Sequence, residues 1–512
     1  MCGIWFYLKN SENSQKSNLN YEEFSDLNSV RGPDVKYFNN FDFGSIGFYR
    51  LKVNDLSDLG NQPFFGENVI MVCNGEIYNH KDLEKKYNII MKSKSDCEVI
   101  LHMYKLMNFS DILKELDGVF FIILIDTQKN ITYAGRDFGG RRSAFFGQTE
   151  NGYFMSSYLK GIDFCEGAKQ FPPAHWWSSE NPQKFHKFYK LPPEIIIPDN
   201  MQIKQLLINS IKKRIENTDR NIGFFLSGGF DSSLICSIAN KLIGKITTFS
   251  VGTHSDAPDI IASRRVAKHI GSNHHELIIS KEDIINSLDK VIQCLESYDC
   301  TTVRASIGQY LLSKYISKKT NIKVVFSGEF ADEIMGSYYY FELATNNDTA
   351  KQETKRLLEN IHYYDCLRAE RTTSNFGLEL RIPFSDKFLL EYLYKVDYKY
   401  KNSQNQIEKK LLRDTFEGYL PSEILYRKKN GFSDAIGYDL RTNLIEYSES
   451  QVSDFEFINT DFKINPPKTK EQFLYRKIFM KYFYNQNVIP EQWMPRWTTN
   501  TLDPSGIILQ KR

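Results

Sequence analysis

Hydrophobic positions follow two different patterns, and the change between them lies near residue 195. Up to about residue 190, short apolar runs rich in β-branched and aromatic residues alternate with clusters of turn residues. This alternation predicts strands over residues 44–51, 69–73, 119–126, 131–136 and 153–156. Short strands at such spacing are typical of packed β-sheets.

Beyond residue 200, helical periodicity alternates with short apolar runs. The pattern predicts helices over residues 201–214 and 231–242, and strands over 222–226, 246–251 and 324–326. Strands that alternate with helices indicate a parallel, doubly wound sheet. Such sheets bind their ligands at the carboxyl ends of the strands.

Two proline sites separate these patterns. Leu191-Pro192-Pro193 and Pro198-Asp199-Asn200 resist both a helix and a central strand. We therefore predict a first domain over residues 2–190, a linker over residues 191–200 and a second domain over residues 201–512.

Composition narrows the class of protein. The 512 residues exceed what one hydrophobic core usually organises. With 65 basic and 63 acidic residues the formal net charge is +2, which offers no field to attract nucleic acid or an anionic membrane. The longest clear apolar run, residues 119–125, is far shorter than the roughly 20 residues of a membrane-spanning helix. We expect neither nucleic acid nor a membrane as a partner.

Cysteine usage and the N-terminus favour a reducing compartment. The eight cysteines include no C-x-x-C pair, so neither a zinc site nor a disulfide framework is indicated. The apolar run at the N-terminus ends at Lys9, too early for the core of a secretory signal. The expected location is cytoplasmic.

Cys2 is a candidate nucleophile. If the initiator methionine is removed, the α-amine of Cys2 can serve as the base that activates its own thiol. Attack on the amide of an amino acid also needs a cation, an anion and donors aimed at the oxyanion. Arg50, Asp96 and the Asn74-Gly75 pair could supply these groups. The alternative is that Asn74-Gly75 is only a hairpin turn and that the charged residues lie on the surface.

Two loops in the second half suggest a polyphosphate site. Residues 227–233 (SGGFDSS) lie between a predicted strand and a predicted helix, so glycines, hydroxyls and a helix N-terminus could surround phosphate. The loop is not a Walker A motif, and an ordinary glycine-rich turn is the alternative. An acidic cluster, residues 327–333 (SGEFADE), follows another predicted strand.

These motifs resemble those of a known family. MCGI at the N-terminus, RGPD at 31–34, NGEIYN at 74–79 and GRD at 135–137 are similar to the class II glutamine amidotransferase domain. The 227–233 loop resembles the PP-loop of the ATP pyrophosphatases, and SGEFADE resembles a motif of asparagine synthetases. Residues 296–306, 371–373 and 377–384 are also similar to that family, so the resemblance covers nearly the whole chain.

The resemblance implies an α/β multi-domain fold. An N-terminal nucleophile hydrolase αββα sandwich would precede a doubly wound, parallel-sheet PP-loop domain of the adenine nucleotide hydrolase-like type, with a helical C-terminal part. It also implies synthesis of asparagine from aspartate, ATP and glutamine, through a Cys2 thioester, channelled ammonia and β-aspartyl-AMP. ATP would be a substrate and Mg²⁺ a cofactor. A homodimer is left open.

Individual roles follow from the matched positions. The implied catalytic residues are Cys2, Asn74, Gly75, Glu329 and Lys429. The implied glutamine-binding residues are Arg50, Leu51, Lys52, Val53, Asn54, Asn74, Gly75, Glu76 and Asp96. The implied ATP-binding residues are Leu226, Ser227, Gly228, Gly229, Asp231, Ser232, Val251, Ser327 and Gly328. Thr301, Thr302 and Arg304 would bind aspartate, and Asp231 and Asp332 would bind the metal.

Several positions depart from the family motifs. Phe330 stands for a glycine, Arg141 for a valine, Tyr158 for a glutamate and Ser385 for a leucine. The other departures are Val30, Ser143, Ala144, Ala331 and Asn430. Several cluster where the domains would meet, so they bear on ammonia transfer between the sites.

Two other functions compete with this interpretation. One is an amidotransferase that uses the same chemistry on a different carboxylate acceptor. The other is a catalytically silent relative that acts as a binding protein, which the intact Cys2, Asp231, Glu329, Asp332 and Lys429 disfavour.

Overall fold

The computed structural model describes residues 1–10, 19–401, 407–427, 439–498 and 502–504. For description, residues 1–190 are called the N-terminal half and the remainder the C-terminal half. None of the described helices is long and apolar enough to cross a membrane.

The N-terminal half contains two six-stranded sheets. Its strands are Gly3–Lys9 (β1), Val35–Phe41 (β2), Gly44–Arg50 (β3), Phe64–Phe65 (β4), Val69–Ile77 (β5), Gly118–Asp126 (β6), Ile131–Arg136 (β7), Phe145–Thr149 (β8), Gly152–Ser156 (β9), Lys169–Gln170 (β10), His175–Ser178 (β11) and His186–Lys187 (β12). The first sheet has the order β10-β8-β9-β1-β3-β2, and the second has the order β12-β11-β7-β6-β5-β4.

Apolar side chains from both sheets meet in a shared core. Ile4 and Phe48 of the first sheet pack with Val72, Phe121 and Ile123 of the second. The helices of this half are Tyr21–Asp26 (α1), His80–Tyr87 (α2), Glu98–Met103 (α3) and Phe109–Glu115 (α4). Helices α3 and α4 cover the other face of the second sheet.

Helices of the C-terminal half cover the outer face of the first sheet. Trp5 and Phe154 of that sheet share one hydrophobic core with Leu288, Val303 and Phe473. The layers therefore run helix, sheet, sheet, helix, which confirms the predicted αββα sandwich. Much of the second helical layer comes from the other half of the chain.

The C-terminal half is built on a five-stranded parallel sheet. Its strands are Ile222–Phe225 (β13), Thr247–Gly252 (β14), Asn273–Ile278 (β15), Val324–Phe326 (β16) and Glu379–Arg381 (β17). The order is β15-β14-β13-β16-β17, and every neighbouring pair is parallel. Because β13 and β16 are adjacent, the loops that follow them lie side by side at the carboxyl edge.

Helices surround this sheet and extend beyond it. They are Asn200–Glu216 (α5), Phe230–Ile243 (α6), Pro258–Ile270 (α7), Lys281–Leu295 (α8), Cys300–Lys319 (α9), Ala331–Met335 (α10), Asn347–Asn360 (α11), Asp365–Ser374 (α12), Lys387–Lys395 (α13), Tyr398–Lys401 (α14), Lys410–Thr415 (α15), Ser422–Leu425 (α16), Asp439–Gln451 (α17), Asp454–Asn459 (α18) and Lys470–Phe479 (α19). Asp199 caps α5, and its side chain accepts hydrogen bonds from the backbone of Met201 and Gln202. Such caps satisfy N–H groups that have no partner inside the helix.

The predicted elements are confirmed with small shifts at their ends. The helix predicted over 201–214 is α5, and the strand predicted over 324–326 is β16. Nine of the described strands were not predicted from the hydrophobic pattern: β1, β2, β4, β8, β10, β11, β12, β15 and β17. The linker prediction falls on a segment without regular structure, apart from a parallel bridge between Ile196 and Val396. The domain boundary itself stays a prediction.

Buried ion pairs join the two halves. Arg31 contacts Glu370, and Arg381 lies 3.1 Å from Glu76. The Met1 ammonium group lies 2.8 Å from Glu379. All of these groups are almost inaccessible to solvent, so loss of a partner from the other half would leave buried charge less well compensated. Arg381 also pairs with Glu379 of its own half at 2.8 Å.

Candidate active sites

Cys2 lies at the start of β1, beside the Asn74-Gly75 pair of β5. The backbone N–H of Cys2 donates to Asn74 Oδ1 at 2.9 Å, and Arg31 Nε donates to the Cys2 carbonyl at 2.9 Å. Asn74 Nδ2 is buried and has no hydrogen-bond partner among the described residues. That amide can therefore donate to an oxyanion formed next to Cys2.

Gly75 has no room for a side chain. An added Cβ would lie 2.4 Å from the Val119 carbonyl oxygen on β6. The glycine therefore lets strands β5 and β6 approach closely and fixes the backbone beside Asn74.

Burial raises the pKa of the Cys2 thiol, although the N-terminal ammonium group, the Leu51 N–H and Arg50 act to lower it. The thiol therefore needs a base before it can act as a nucleophile. In the chain that retains Met1, the Cys2 nitrogen is a peptide nitrogen and cannot take that proton. Removal of Met1 would supply the amine.

Arg50 ends β3, next to Cys2 on the neighbouring strand β1. Its Nη1 donates to Asn61 Oδ1 at 2.7 Å and to the Ser57 carbonyl at 2.8 Å. Its Nη2 donates to the Asn54 carbonyl at 3.0 Å. The guanidinium group is thus held by the loop over residues 54–61.

The remaining predicted glutamine-binding residues form two groups. Asn54, Glu76 and Asp96 form hydrogen bonds with one another or with Asn217, and Leu51, Lys52 and Val53 follow Arg50 in the chain. Asn54 Nδ2 donates to Glu76 Oε2 at 2.7 Å, and Asn217 Nδ2 donates to Glu76 at 2.7 Å and to Asp96 at 3.1 Å. Asp96 also accepts the Ile77 N–H at 2.6 Å. Leu51 and Val53 are buried, whereas Lys52 pairs with Asp58.

A cavity of about 180 Å³ lies at the carboxyl edge of the parallel sheet. All predicted ATP-binding residues except Gly228 line it, together with Glu329 and Asp332. Further lining residues, which were not predicted from the sequence, are Phe225, Phe230, Phe249, Ser250, Asp259, Gln309, Leu312, Arg368, Glu408, Lys409, Arg413 and Arg427. The position matches the ligand site of doubly wound sheets.

Gly228 determines the backbone conformation of this loop, although it is not among the residues that line the cavity. Its φ is +75°, and an added Cβ would lie 2.5 Å from the Ala262 Cβ, so only glycine fits. Its carbonyl accepts a hydrogen bond from Arg427 at 3.1 Å. Arg427 also lies 2.6 Å from Asp259, whose pKa burial raises to about 6.

The loop over residues 227–233, which contains Asp231, and the acidic loop over residues 327–333, which contains Asp332, meet around Lys409. Its ammonium group contacts Asp231 and lies 2.6 Å from Asp332. An added Cβ at Gly328 would lie 3.1 Å from the Asp231 Cβ, so the loops touch. Burial alone would lower the pKa of Lys409, but Asp231 and Asp332 raise it above its ordinary value. This pair of carboxylates therefore already surrounds a positive charge.

The same carboxylates suit Mg²⁺. No group of three or more potential His, Cys, Asp or Glu ligands occurs in the part of the chain that the structure describes. Mg²⁺ is commonly bound by one or two carboxylates together with substrate phosphates. Asp231 and Asp332 fit that donor set.

Glu329 is held by few contacts. Its Oε1 lies 3.3 Å from Arg368 Nη1, and its Oε2 has no hydrogen-bond partner among the described residues. Arg368 in turn donates to Gln309 at 3.0 Å and to Asp365 at 2.9 Å. Arg368 was not predicted from the sequence, since an arginine inside a helix commonly forms a structural ion pair.

The three predicted aspartate-binding residues are not among those that line this cavity. Arg304 donates to Glu471 at 2.8 Å and to Asp503 at 3.1 Å. Thr302 donates to Asp299 at 2.7 Å, while the hydroxyl of Thr301 has no partner among the described residues. Their assignment to aspartate stays a prediction.

Lys429 and Asn430 lie outside the described residues. Among the described residues, Lys409 provides an ammonium group at the loops that carry Asp231 and Asp332. Lys409 was not predicted from the sequence, because Lys409-Lys410, between Glu408 and Leu411, has the pattern of a solvated charge run. Its partner Asp231 is 178 residues away, so no local signal marks it.

Two departures from the family motifs, Arg141 and Ser385, contact each other. Arg141 donates to the carbonyl of Ser385 across the contact between the halves. The Tyr158 hydroxyl lies 3.2 Å from Ser374 Oγ, and its ring lies 4.2 Å from the Arg371 guanidinium. Val30 is 39% exposed.

Two family models match separate parts of the chain. A family model described as glutamine amidotransferase domain matches residues 1–180. A model described as asparagine synthase matches residues 202–354 and 342–504. Among solved structures, a glutamine phosphoribosylpyrophosphate amidotransferase from B. subtilis shares 15% identity over 48% of this chain and 65% of its own. Its TM-score of 0.30 is too low to bear on function.

Curated relatives match over nearly the full length. A probable glutamine-hydrolysing asparagine synthetase of Acanthamoeba polyphaga mimivirus is 37% identical over 99% of this chain and 100% of its own. The glutamine-hydrolysing asparagine synthetases of Bos taurus and Homo sapiens are 38% and 36% identical, each over 99% of this chain and 98% of their own. The chain therefore belongs to the family of glutamine-hydrolysing asparagine synthetases.

Proposed function

We propose that the chain makes asparagine, AMP, diphosphate and glutamate from aspartate, ATP, glutamine and water. The cavity at the carboxyl edge of the parallel sheet carries this proposal. It brings together the PP-loop at residues 227–233, the acidic loop at residues 327–333 and the ammonium group of Lys409. These are the groups that adenylation of a carboxylate requires. We infer a cytoplasmic enzyme without a nucleic-acid or membrane partner.

The N-terminal half would hydrolyse glutamine. The α-amine of Cys2, once Met1 is removed, takes the thiol proton as sulfur attacks the amide carbon. Asn74 Nδ2 and the Gly75 N–H donate to the oxyanion, and ammonia leaves. Arg50 would bind the substrate carboxylate and Asp96 its amine. Water then attacks the thioester and releases glutamate.

The C-terminal half would activate aspartate. The β-carboxylate attacks the α-phosphorus of ATP, and diphosphate leaves from the loop that begins at Ser227. Ammonia attacks the β-carbonyl carbon of the resulting β-aspartyl-AMP, and AMP leaves. Glu329, which faces the cavity, would assist these steps. Ammonia is proposed to pass between the sites inside the protein, because in water it would be protonated and lost.

Asp231 and Asp332 would hold Mg²⁺. When bound, Mg²⁺ neutralises phosphate charge and polarises the phosphoryl oxygens. Lys409 keeps a positive charge beside the same carboxylates, so these residues need not repel the triphosphate.

The test is formation of asparagine and AMP from ATP, Mg²⁺ and aspartate, with glutamine or ammonium as the nitrogen donor. Equal amounts of asparagine and AMP with glutamine would support both sites and the transfer between them. Activity with ammonium alone would reject the glutamine-dependent part of the proposal.

A second candidate is the same chemistry on a different carboxylate. It is favoured by the absence of Thr301, Thr302 and Arg304 from the described lining of the cavity. Arg304 already pairs with Glu471 and Asp503. Formation of AMP with another carboxylic acid, but not with aspartate, would select this candidate.

A further inference from the structure

Phe330 holds a backbone conformation that side chains rarely adopt. Its φ is +73°, in the left-handed region where the Cβ of an ordinary residue crowds the carbonyl oxygen that follows. Glycine is free of this restriction, and the related motif has glycine at this position. Strained residues persist only where surrounding contacts hold them, and they cluster at functional sites. The contacts of the Phe330 ring are therefore expected to hold this strained conformation and to serve a function.

The ring is buried where the two halves meet. Phe330 is 1% exposed, and its Cζ atom lies 3.4 Å from the position that a Cβ at Gly139 would occupy. Phe138, Gly139 and Phe330 line one cavity with Leu358 and Leu390. The side chain thus extends from the C-terminal half and rests against the N-terminal half.

The segment it rests against, residues 137–142, is tightly held and is called the interface loop. Asp137 accepts hydrogen bonds from the backbone of Gly139 at 3.1 Å and of Arg141 at 3.2 Å. The Arg141 side chain donates to Asp137 at 2.8 Å, to the Gly118 carbonyl at 2.8 Å and to the Ser385 carbonyl. The loop therefore offers a fixed surface to the ring.

Glu329 directly precedes Phe330, and few contacts with other described side chains restrain its carboxylate. Among the described residues, its carboxylate is restrained by one contact, of 3.3 Å with Arg368, although it lines the nucleotide cavity. On its other side, Gly328 abuts Asp231. The direction of the Glu329 side chain therefore depends on the backbone between Gly328 and Phe330.

We propose that Phe330 is a positioning residue, whose ring, seated on Gly139, fixes the backbone that directs Glu329 into the synthetase cavity. The N-terminal half then sets the geometry of a carboxylate in the C-terminal half. The inference rests on the proposed function for the chemistry assigned to Glu329.

Phe330→Gly tests this directly, because it relieves the strained backbone and removes the ring. With ammonium as donor, we expect kcat to fall about tenfold, while KM for ATP and aspartate stays within about twofold and glutamine hydrolysis is unchanged. Backbone amides of the interface loop should exchange with solvent faster. Phe330→Met, which keeps an apolar side chain of similar reach, should restore most of the kcat.

Two controls separate positioning from stability. Phe473→Leu alters an equally buried ring that packs on Phe457 and Phe462, and it should leave kcat unchanged. Gly139→Val, on the opposite side of the contact, should lower kcat like Phe330→Gly. The double variant should be no slower than the slower single variant, because both substitutions disturb the same contact.

The inference is overturned if Phe330→Gly keeps the wild-type kcat, or if Phe473→Leu lowers kcat equally. If the wild-type protein makes no asparagine with ammonium, the proposed function fails instead. Exchange of the interface loop then decides the matter: faster exchange in Phe330→Gly supports the contact, and unchanged exchange rejects it.

Discussion

The ammonium group of Met1 lies 2.8 Å from Oε2 of Glu379, and both groups are buried between the two halves of the chain. Met1 is 1% exposed, so an aminopeptidase cannot reach it in the folded protein. We therefore predict that Met1 is removed before the chain folds.

This contact predicts how Met1 controls glutamine use. Protein produced while methionine aminopeptidase is inhibited should keep Met1, hydrolyse no glutamine and make asparagine from ammonium normally. Later incubation of the folded protein with the aminopeptidase should not restore glutamine hydrolysis. Intact mass and glutamate release measure both, and hydrolysis by a fully Met1-retaining sample would contradict the role of the Cys2 amine.

Cys2→Ala should separate the two activities. Because the nucleophile is lost, glutamine-dependent synthesis should fall at least about a thousandfold, whereas ammonium-dependent synthesis should stay within about twofold. The matched control is Cys165→Ala, which alters a buried thiol in a different core and should leave both rates unchanged. Equal loss with both nitrogen donors would show that Cys2 serves the structure rather than the thioester.

Lys409→Met should abolish synthesis without affecting glutamine hydrolysis. Asp231 and Asp332 would face each other and the triphosphate without the ammonium group that contacts both of them, so we expect ammonium-dependent kcat to fall about a hundredfold. The neighbouring Lys410 is 40% exposed and pairs with Asp414, which makes Lys410→Met a close control. Similar rates for the two variants would exclude Lys409 from the site.

Asp386 predicts a pH-dependent stability. Burial alone would raise its pKa, but Arg214 and Lys213 lower the pKa from 3.8 to about 2. The ionised form is thus stabilised in the folded state, and this contribution is present above about pH 4 and is lost as the pH falls toward 2.

Asp386→Asn should therefore lower the free energy of unfolding by at least about 2 kcal/mol at pH 7. The difference from wild type should shrink below about pH 4. Urea denaturation at several pH values measures it. Glu423→Gln, which breaks an exposed pair with Arg265, should change the free energy by less than about 1 kcal/mol. A constant difference for Asp386→Asn across pH would refute the electrostatic origin.

Local patterns were sufficient for the elements that carry the sites. The continuous apolar run of β6 and the strand, glycine loop and helix at Ser227 are encoded within a few residues, so the sequence predicts them. The neighbouring loop after β16 follows from the parallel sheet, because adjacent strands end at one edge.

Contacts between distant residues could not be predicted in the same way. Lys409 reaches Asp231 over 178 residues, and nothing in its neighbours distinguishes it from a surface lysine. Arg304 was assigned to a substrate carboxylate, and the structure shows protein carboxylates at its guanidinium group. A charge in a sequence indicates that a partner is needed, but not which one.

The buried pairs between halves also limit how this protein can be recombined. Arg31 pairs with Glu370, and Arg381 pairs with Glu76 in addition to Glu379 of its own half. Removing one member of a buried pair commonly costs about 3–5 kcal/mol. A chimera that joins one half to the opposite half of a relative would separate Arg31 from Glu370 and Arg381 from Glu76, unless the relative carries matching residues. The sequences of the two halves are therefore expected to diverge together, because a substitution at one member of a pair requires a matching substitution at the other.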